Sequence, residues 1–308
     1  MNISLYSMTV LIWGSTWFAI SYQLGTVSLD VSIFYRFVLA SFLIFLWCFF
    51  KRKNMKFSWN THLFFIAQGF FLFSMNYIAC YAANQYIASG LTALGFSMVL
   101  VFNVMNSFIF YRTPLTRPVI VGGVSGILGI GCIFWPSLST LDLSNESLLG
   151  ILFSLLGGLL SSCGNMISLR NQRKNIPITE SNAFGMAYGA LWMLGIVLFK
   201  GLPFEFDFSY TYILSLVYLA IFGTIVAFGC YLALLGRIGT SKAAYAHVMT
   251  PLLALMISTF FEDFTWEPHI FAGMGLILFG NVVILARKSD KKKSEELEAN
   301  SLSLKEAA

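Results

Sequence analysis

Three kinds of side chain in this sequence suit chemistry inside an apolar environment: one histidine, one arginine, and a set of amides and phenols at helical spacing. His247 is the one histidine within a long apolar run. Its ordinary pKa of about 6.5 suits proton exchange near neutrality, though a hydrogen-bonded histidine between helices has the same sequence signature. Arg36 lies inside "DVSIFYRFVLASFLIFLWCFFKRK", residues 30–53. A charge there costs a few kcal/mol, so it needs a partner, a watery cavity or a route to the surface. In "SMNYIACYAANQY", Asn76, Cys80 and Asn84 recur every four residues with Tyr77 and Tyr81 beside them, which makes one helical face. Thr92, Phe96, Val99, Asn103 and Asn106 alternate steps of four and three. Ser154, Ser161, Asn165 and Ser168 keep a similar rhythm, as do Thr9, Trp13, Thr16 and Ile20. Any one such group is equally explained by a hydrogen bond between helices, worth roughly 0.6 kcal/mol.

Catalytic arrangements are missing from the sequence. His62, His247 and His269 are far apart with no HExxH, and there is no GxSxG elbow, P-loop or pair of intramembrane aspartates. Neither a metal site nor a cofactor is expected, and the chain does not read as an enzyme. The five cysteines, Cys48, Cys80, Cys132, Cys163 and Cys230, fall in apolar runs without CxxC spacing and read as packing residues.

The elements that must position these groups follow from composition. The 308 residues are 57% hydrophobic and only 11% charged, against about 25% charged in soluble domains. Apolar stretches long enough for ~30 Å of hydrocarbon recur near residues 3–24, 31–50, 61–82, 88–111, 118–135, 148–169, 181–200, 211–235, 240–262 and 268–286. The expectation is an all-α integral membrane protein with ten transmembrane helices. The N-terminus lacks a basic n-region and reads as a retained first span.

The charges orient these spans. With the N-terminus inside, the cytoplasmic gaps are "KRKNMK", "RTPLTR", "RNQRK", "GRIGTSK" and the tail "RKSDKKK". They hold every basic residue except Arg36, Lys200 and Lys305, whereas the outer gaps carry Asp30, Glu205, Asp207, Glu262, Asp263 and other acids. Both termini are therefore expected in the cytoplasm, with 287–308 as a charged, solvated tail. Clusters alternating with apolar runs exclude a nucleic-acid surface.

The chain also repeats. Displaced by 151 residues, "YIASGLTALGFSMVLVFNVMNSFIFYRTPLTRPVIVGG" lies over "RIGTSKAAYAHVMTPLLALMISTFFEDFTWEPHIFAGM" without a gap. Phe71 meets Phe222, Ala93 meets Ala244, Gly122 meets Gly273 and Gly129 meets Gly280. Five spans per half is odd, so the halves 3–135 and 148–286 must be inverted, an arrangement typical of secondary transporters. The glycine-rich "GGVSGILGIG" and "GMGLILFG" permit close helix packing, within the chain or in a homodimer. Pro251 removes a helix hydrogen bond and marks either a hinge or a static kink.

With "LIWGSTWFAI" in the first helix, "YRF" early in the second, "YIASGLTAL" entering the fourth and Pro251 in the ninth, the chain resembles the EamA type of the drug/metabolite transporter superfamily over residues 3–286. It departs from the pattern where Leu100 stands opposite Pro251 and Tyr111 opposite Glu262. The resemblance implies a bacterial inner-membrane carrier, often an exporter of amino acids or other small metabolites. It also implies a central cavity lined mainly by helices 1, 3, 4, 6, 8 and 9. On those helices the candidate lining residues are Trp13, Asn76, Tyr77, Tyr81, Asn103, Asn165, Tyr231 and His247. Such a lining suits a neutral, zwitterionic or amphipathic solute; a phosphorylated one would want a cluster of Lys or Arg at mid-depth. The expected partners are this solute and the lipid bilayer. His247 is the candidate for proton coupling, and facilitated diffusion fits the same residues. For Arg36 three roles stay open: a structural anchor reaching the outer interface beside Asp30, an outer-gate contact, or substrate binding. The alternative function is a non-transporting membrane sensor or scaffold.

Overall fold

The computed structural model describes residues 2–112, 117–133, 135 and 146–283; the side chains of residues 2, 119, 232–245, 247 and 248 lie outside that description. So do the tail 287–308 and the gaps at 113–116 and 136–145. All regular elements among the described residues are helical. They are α1 (Asn2–Ser21), α2 (Leu29–Phe50), α3 (Trp59–Tyr86), α4 (Ser89–Tyr111), α5 (Arg117–Ile133), α6 (Glu146–Arg173), α7 (Ile178–Phe199), α8 (Tyr210–Ala220), α9 (Ala227–Phe261) and α10 (Pro268–Val283). Seven helical segments are long and apolar enough to cross a membrane, and three shorter apolar ones lie at Ile120–Ile133, Met249–Phe261 and Pro268–Val283. Most expected spans start or end within a few residues of these bounds. In α2 the start has a local cause: the Ser28 side chain accepts from Val31 N–H, and Asp30 lies in the first turn, where a carboxylate favours the helix dipole.

Two of the crossings are not regular α-helices. α3 contains a π-helical stretch at Phe71–Met75, and another at Ile221–Val226 joins α8 to α9. Phe222 follows Phe71 by the repeat distance of 151, so the same irregularity occurs in both halves of the chain. A hydroxyl accompanies each wide turn. Ser74 Oγ donates to Gly69 O at 3.1 Å, and Thr224 Oγ1 donates to Leu219 O at 2.8 Å, in both cases five residues back. Turns of this kind concentrate at functional sites. α4 is interrupted at Ser97–Met98, where Asn281 Nδ2 of α10 donates to Ser97 Oγ at 3.3 Å.

α5 and α10 meet backbone to backbone. A Cβ at Gly129 would lie 2.6 Å from Gly273 O, and one at Gly280 would strike Gly122 O, so a side chain at either position would clash with the partner helix. The repeat maps Gly122 onto Gly273 and Gly129 onto Gly280. The two contacts are therefore the same contact seen from each half, as at a two-fold interface.

One expected break takes a different form. Helical turns run unbroken through α9, across the "GRIGTSK" stretch that the charge pattern assigns to a loop. The path nevertheless turns back between Tyr231 and Leu253. Trp13 of α1 packs on Phe228 and Tyr231, while its neighbour Gly14 packs on Leu253. On a straight helix, residues 228 and 253 would be roughly 37 Å apart at 1.5 Å per residue. Hydrogen bonds agree about direction. Gln23 reaches Tyr212 O and Ser15 reaches Tyr218 OH, so α8 runs against α1, whereas Ser21 reaches Glu262, so the end of α9 runs with it.

The larger apolar core lies between α2, α3, α7 and α8, around Phe37, Phe73, Met186, Met193 and Leu219. A second cluster, with Leu94, Ile151, Leu255 and Ile277, joins α4, α6, α9 and α10. α2 and α7 are antiparallel, with an ion pair at each end. Lys200 Nζ lies 2.7 Å from Asp30 Oδ2, and Lys53 Nζ lies 4.0 Å from Glu180 Oε1.

Candidate functional site

The first group of expected site residues gathers where α1, α2, α3 and the second π-helical stretch meet. Trp13 donates through Nε1 to Gly223 O at 3.3 Å, and its ring lies 5.4 Å from that of Phe228 and 5.2 Å from that of Tyr231. From Phe228 the aromatic contacts continue through Phe73 and Phe37 to Tyr77, whose ring lies 4.8 Å from Phe37. Trp13, Tyr77 and Tyr231, on three different segments, thus belong to one aromatic assembly.

Arg36 sits at its end. The side chain does not extend to the outer interface: Asp30 is held by Lys200, and Arg36 is only 2% exposed. The guanidinium turns inward instead. Nε and Nη2 donate to Thr224 Oγ1 at 3.3 and 3.1 Å, Nη1 donates to Tyr81 OH at 3.3 Å, and the charge lies 4.6 Å from the Tyr77 ring centroid. Both π-helical stretches take part in this placement. Thr224 belongs to one, and Tyr77 follows the other by two residues. Thr224 could not have been found from periodicity, because its partner is 188 residues away.

The second group lies between α4 and α6. Asn165 Nδ2 donates to Asn103 Oδ1 at 3.2 Å, and one turn along Asn106 Nδ2 donates to Ser162 Oγ at 2.8 Å. Trp17 of α1 extends toward this group: it packs on Phe96 of α4, and its carbonyl accepts from Asn84 Nδ2 at 2.9 Å. Asn76 is buried in α3, whose backbone carbonyl there faces Gly157 of α6. Its Oδ1 has no hydrogen-bond partner among the described residues, and neither do Asn84 Oδ1 and Thr92 Oγ1. His247 lies on α9, but its side chain is outside the description, as is any relation between it and the two groups.

Two polar clusters were not anticipated. Deep between α3, α6 and α7, Gln68 Oε1 accepts from Asn171 and Ser181, while its Nε2 donates to Asn182. At the opposite end, Glu262 accepts from Ser89 N–H at 2.9 Å, Ser258 Oγ at 2.6 Å and Ser21 Oγ at 3.1 Å, tying α1, α4 and α9 together. Elsewhere, a groove of about 670 Å³ lined by Phe42, Phe45, Leu46, Phe49, Arg52, Lys53 and Met55 runs along the end of α2. It contains none of the expected site residues.

Comparison with known proteins agrees with this architecture. The model of the EamA-like transporter family matches twice, over residues 2–135 and 148–286. An uncharacterized transporter encoded in the trpA 3′ region of Buchnera aphidicola subsp. Schlechtendalia chinensis is 24% identical, over 86% of this chain and 85% of its own length. The uncharacterized transporter YoaV of Bacillus subtilis is 26% identical over 80% and 83% of the two chains. Protein PagO of Salmonella typhimurium is 22% identical over 86% of each. A solved crystal structure with 17% identity superposes with a TM-score of 0.65, covering 92% of this chain and 96% of its own, and shows the same fold. With two family matches on a chain of apolar, membrane-length helices, the protein belongs to the EamA-like transporter family: it is a multi-pass membrane transporter and not an enzyme.

Proposed function

We propose that the protein is a secondary transporter of the bacterial inner membrane that exports amino acids or other small neutral, zwitterionic or amphipathic metabolites by alternating access. In this reading ten crossings form two inverted five-helix halves, 3–135 and 148–286, with both termini and the tail 287–308 in the cytoplasm. The observation that carries it is the reciprocal contact of α5 with α10, Gly129 on Gly273 and Gly122 on Gly280. Contacts exchanged by repeat-related residues on antiparallel helices are what inverted halves produce, and such halves can swap roles as outer and inner gates. The paired π-helical stretches support the same relation. The aromatic and amide character of the site supports a small solute without phosphate.

The halves are not equivalent in detail. Glu262 closes the outer ends of α1, α4 and α9, while its repeat partner Tyr111 donates to Met166 O at 2.7 Å. His247 is the group assigned to proton coupling, and Pro251, within α9, the hinge.

The test is uptake of labelled amino acids and small metabolites into proteoliposomes, with and without an inward-acidic gradient. Saturable flux that follows the gradient supports a proton-linked carrier, and loss of that response in His247→Ala locates the coupling. Flux indifferent to the gradient supports facilitation. No flux from folded protein would return the sensor or scaffold reading to first place.

A further inference from the structure

An arginine side chain stays charged at every physiological pH, and burying it without a counter-charge is costly. Arg36 is in that position. It is 2% exposed, and no carboxylate lies within 4.0 Å of it among the described residues. The buried carboxylates are committed elsewhere: Asp30 to Lys200, and Glu180 to Lys53 near the other end of α2. Each partner that Arg36 does have is neutral, namely the hydroxyls of Thr224 and Tyr81 and the faces of Tyr77 and Phe37.

The hydrogen-bond inventory is also incomplete. A guanidinium carries five N–H donors. Three are used, one each from Nε, Nη1 and Nη2, which leaves one on each terminal nitrogen. Two terminal N–H groups on a planar fork match the two oxygens of a carboxylate, the pairing in which arginine is strongest. Thr224 and Tyr81 meanwhile hold the fork in place.

Resting on the transporter reading above, we propose that Arg36 is the anchor for a carboxylate on the transported solute, so that the cargo itself supplies the missing counter-charge. A built-in acid at this depth would neutralise the site permanently and remove its preference for an anionic group. A carboxylate for Arg36 describes the acid group of an amino acid or a related small organic acid. The aromatic assembly from Tyr77 to Trp13 would take its apolar portion.

The experiment compares L-phenylalanine and L-leucine with their amides, which keep the side chain and ammonium but lose the carboxylate. Two readouts are taken on the full chain: thermal stabilisation of the purified protein, and uptake into proteoliposomes. The expected result is stabilisation and flux by at least one free acid, with its amide roughly 10- to 100-fold weaker, as loss of a charge-assisted bidentate pair implies. In Arg36→Lys, which keeps the charge but not the fork, that preference should shrink. Tyr81→Phe removes one support of the guanidinium with little change of volume, and should weaken the acid more than the amide even where Arg36→Lys fails to fold. Equal binding and flux of acid and amide by the wild type would overturn the anchor while leaving transport standing. Stabilisation by the acids without flux would keep the anchor and sink the transport reading. Stabilisation by neither acid from folded protein overturns the anchor.

Discussion

The side chain of Glu262, the residue that ends α9, accepts a hydrogen bond from the backbone N–H of Ser89, the residue that begins α4, at 2.9 Å. The first N–H groups of a helix have no partner within it, and the helix dipole favours a negative charge beside them. Ser258 extends the same cap, since its Oγ accepts from Gly90 N–H at 2.8 Å and donates to Glu262. Glu262→Gln is therefore expected to cost about 0.5–1.5 kcal/mol of stability. Hydrogen exchange at Ser89 and Gly90 should accelerate relative to the rest of α4; unchanged exchange there would mean that the carboxylate does not hold this end closed.

The two sets of buried amides should respond differently to mutation. Gln68→Leu leaves Asn171, Ser181 and Asn182 with unmet hydrogen bonds in a fully buried setting. A loss of about 2–3 kcal/mol is expected. Asn165→Ala removes one bond to the partly exposed Asn103, and about 0.6 kcal/mol is expected. Transport should show the reverse order at matched protein level. Thermal unfolding and proteoliposome flux on the same preparations decide this, and a large stability loss at Asn165 would make that pair structural.

Lys200→Met isolates Asp30, a nearly buried carboxylate whose Oδ1 already has no partner among the described residues. Because Lys200 is half exposed, the expected cost is about 1–3 kcal/mol, below that of breaking a fully buried pair. Adding Asp30→Asn should recover most of it. A double-mutant cycle on unfolding gives the coupling, and a value near zero would make the pair incidental.

Gly129→Val places a branched side chain against the carbonyl of Gly273. Separation of α5 from α10 and a loss of about 1–3 kcal/mol are expected. If the glycine faces served a dimer instead, the variant would alter cross-linking between chains and leave the melting temperature of the monomer alone.

The apolar crossings were legible because lipid requires a continuous helix about twenty residues long, and such runs survive in any one-dimensional reading. The repeat was legible for a similar reason: Phe71 and Phe222, or Gly122 and Gly273, match at one fixed displacement. Tertiary partners were not. For Arg36 the sequence left three roles open, among them an anchor beside Asp30 six residues away, whereas Thr224 and Tyr81 come to it only through packing. The Gln68 cluster escaped notice because its four members come from three helices and meet only through packing. The reversal within α9 was anticipated from charge, but its unbroken helical turns were not, since "GRIGTSK" carries two glycines and two cations that read as a loop. The π-helical stretches left only Ser74 and Thr224 as traces, and a single hydroxyl in an apolar run is a weak signal.

The α5–α10 crossing has one more consequence. If the two halves trade shapes during a transport cycle, most contacts between them must be broken on one side and remade on the other. A contact lying on the axis of that exchange is converted into itself: Gly129 on Gly273 becomes Gly280 on Gly122. The crossing can then stay intact through the whole cycle as the fulcrum about which the rest tilts, and its bare backbone surfaces leave no side chains to interlock and hinder the movement.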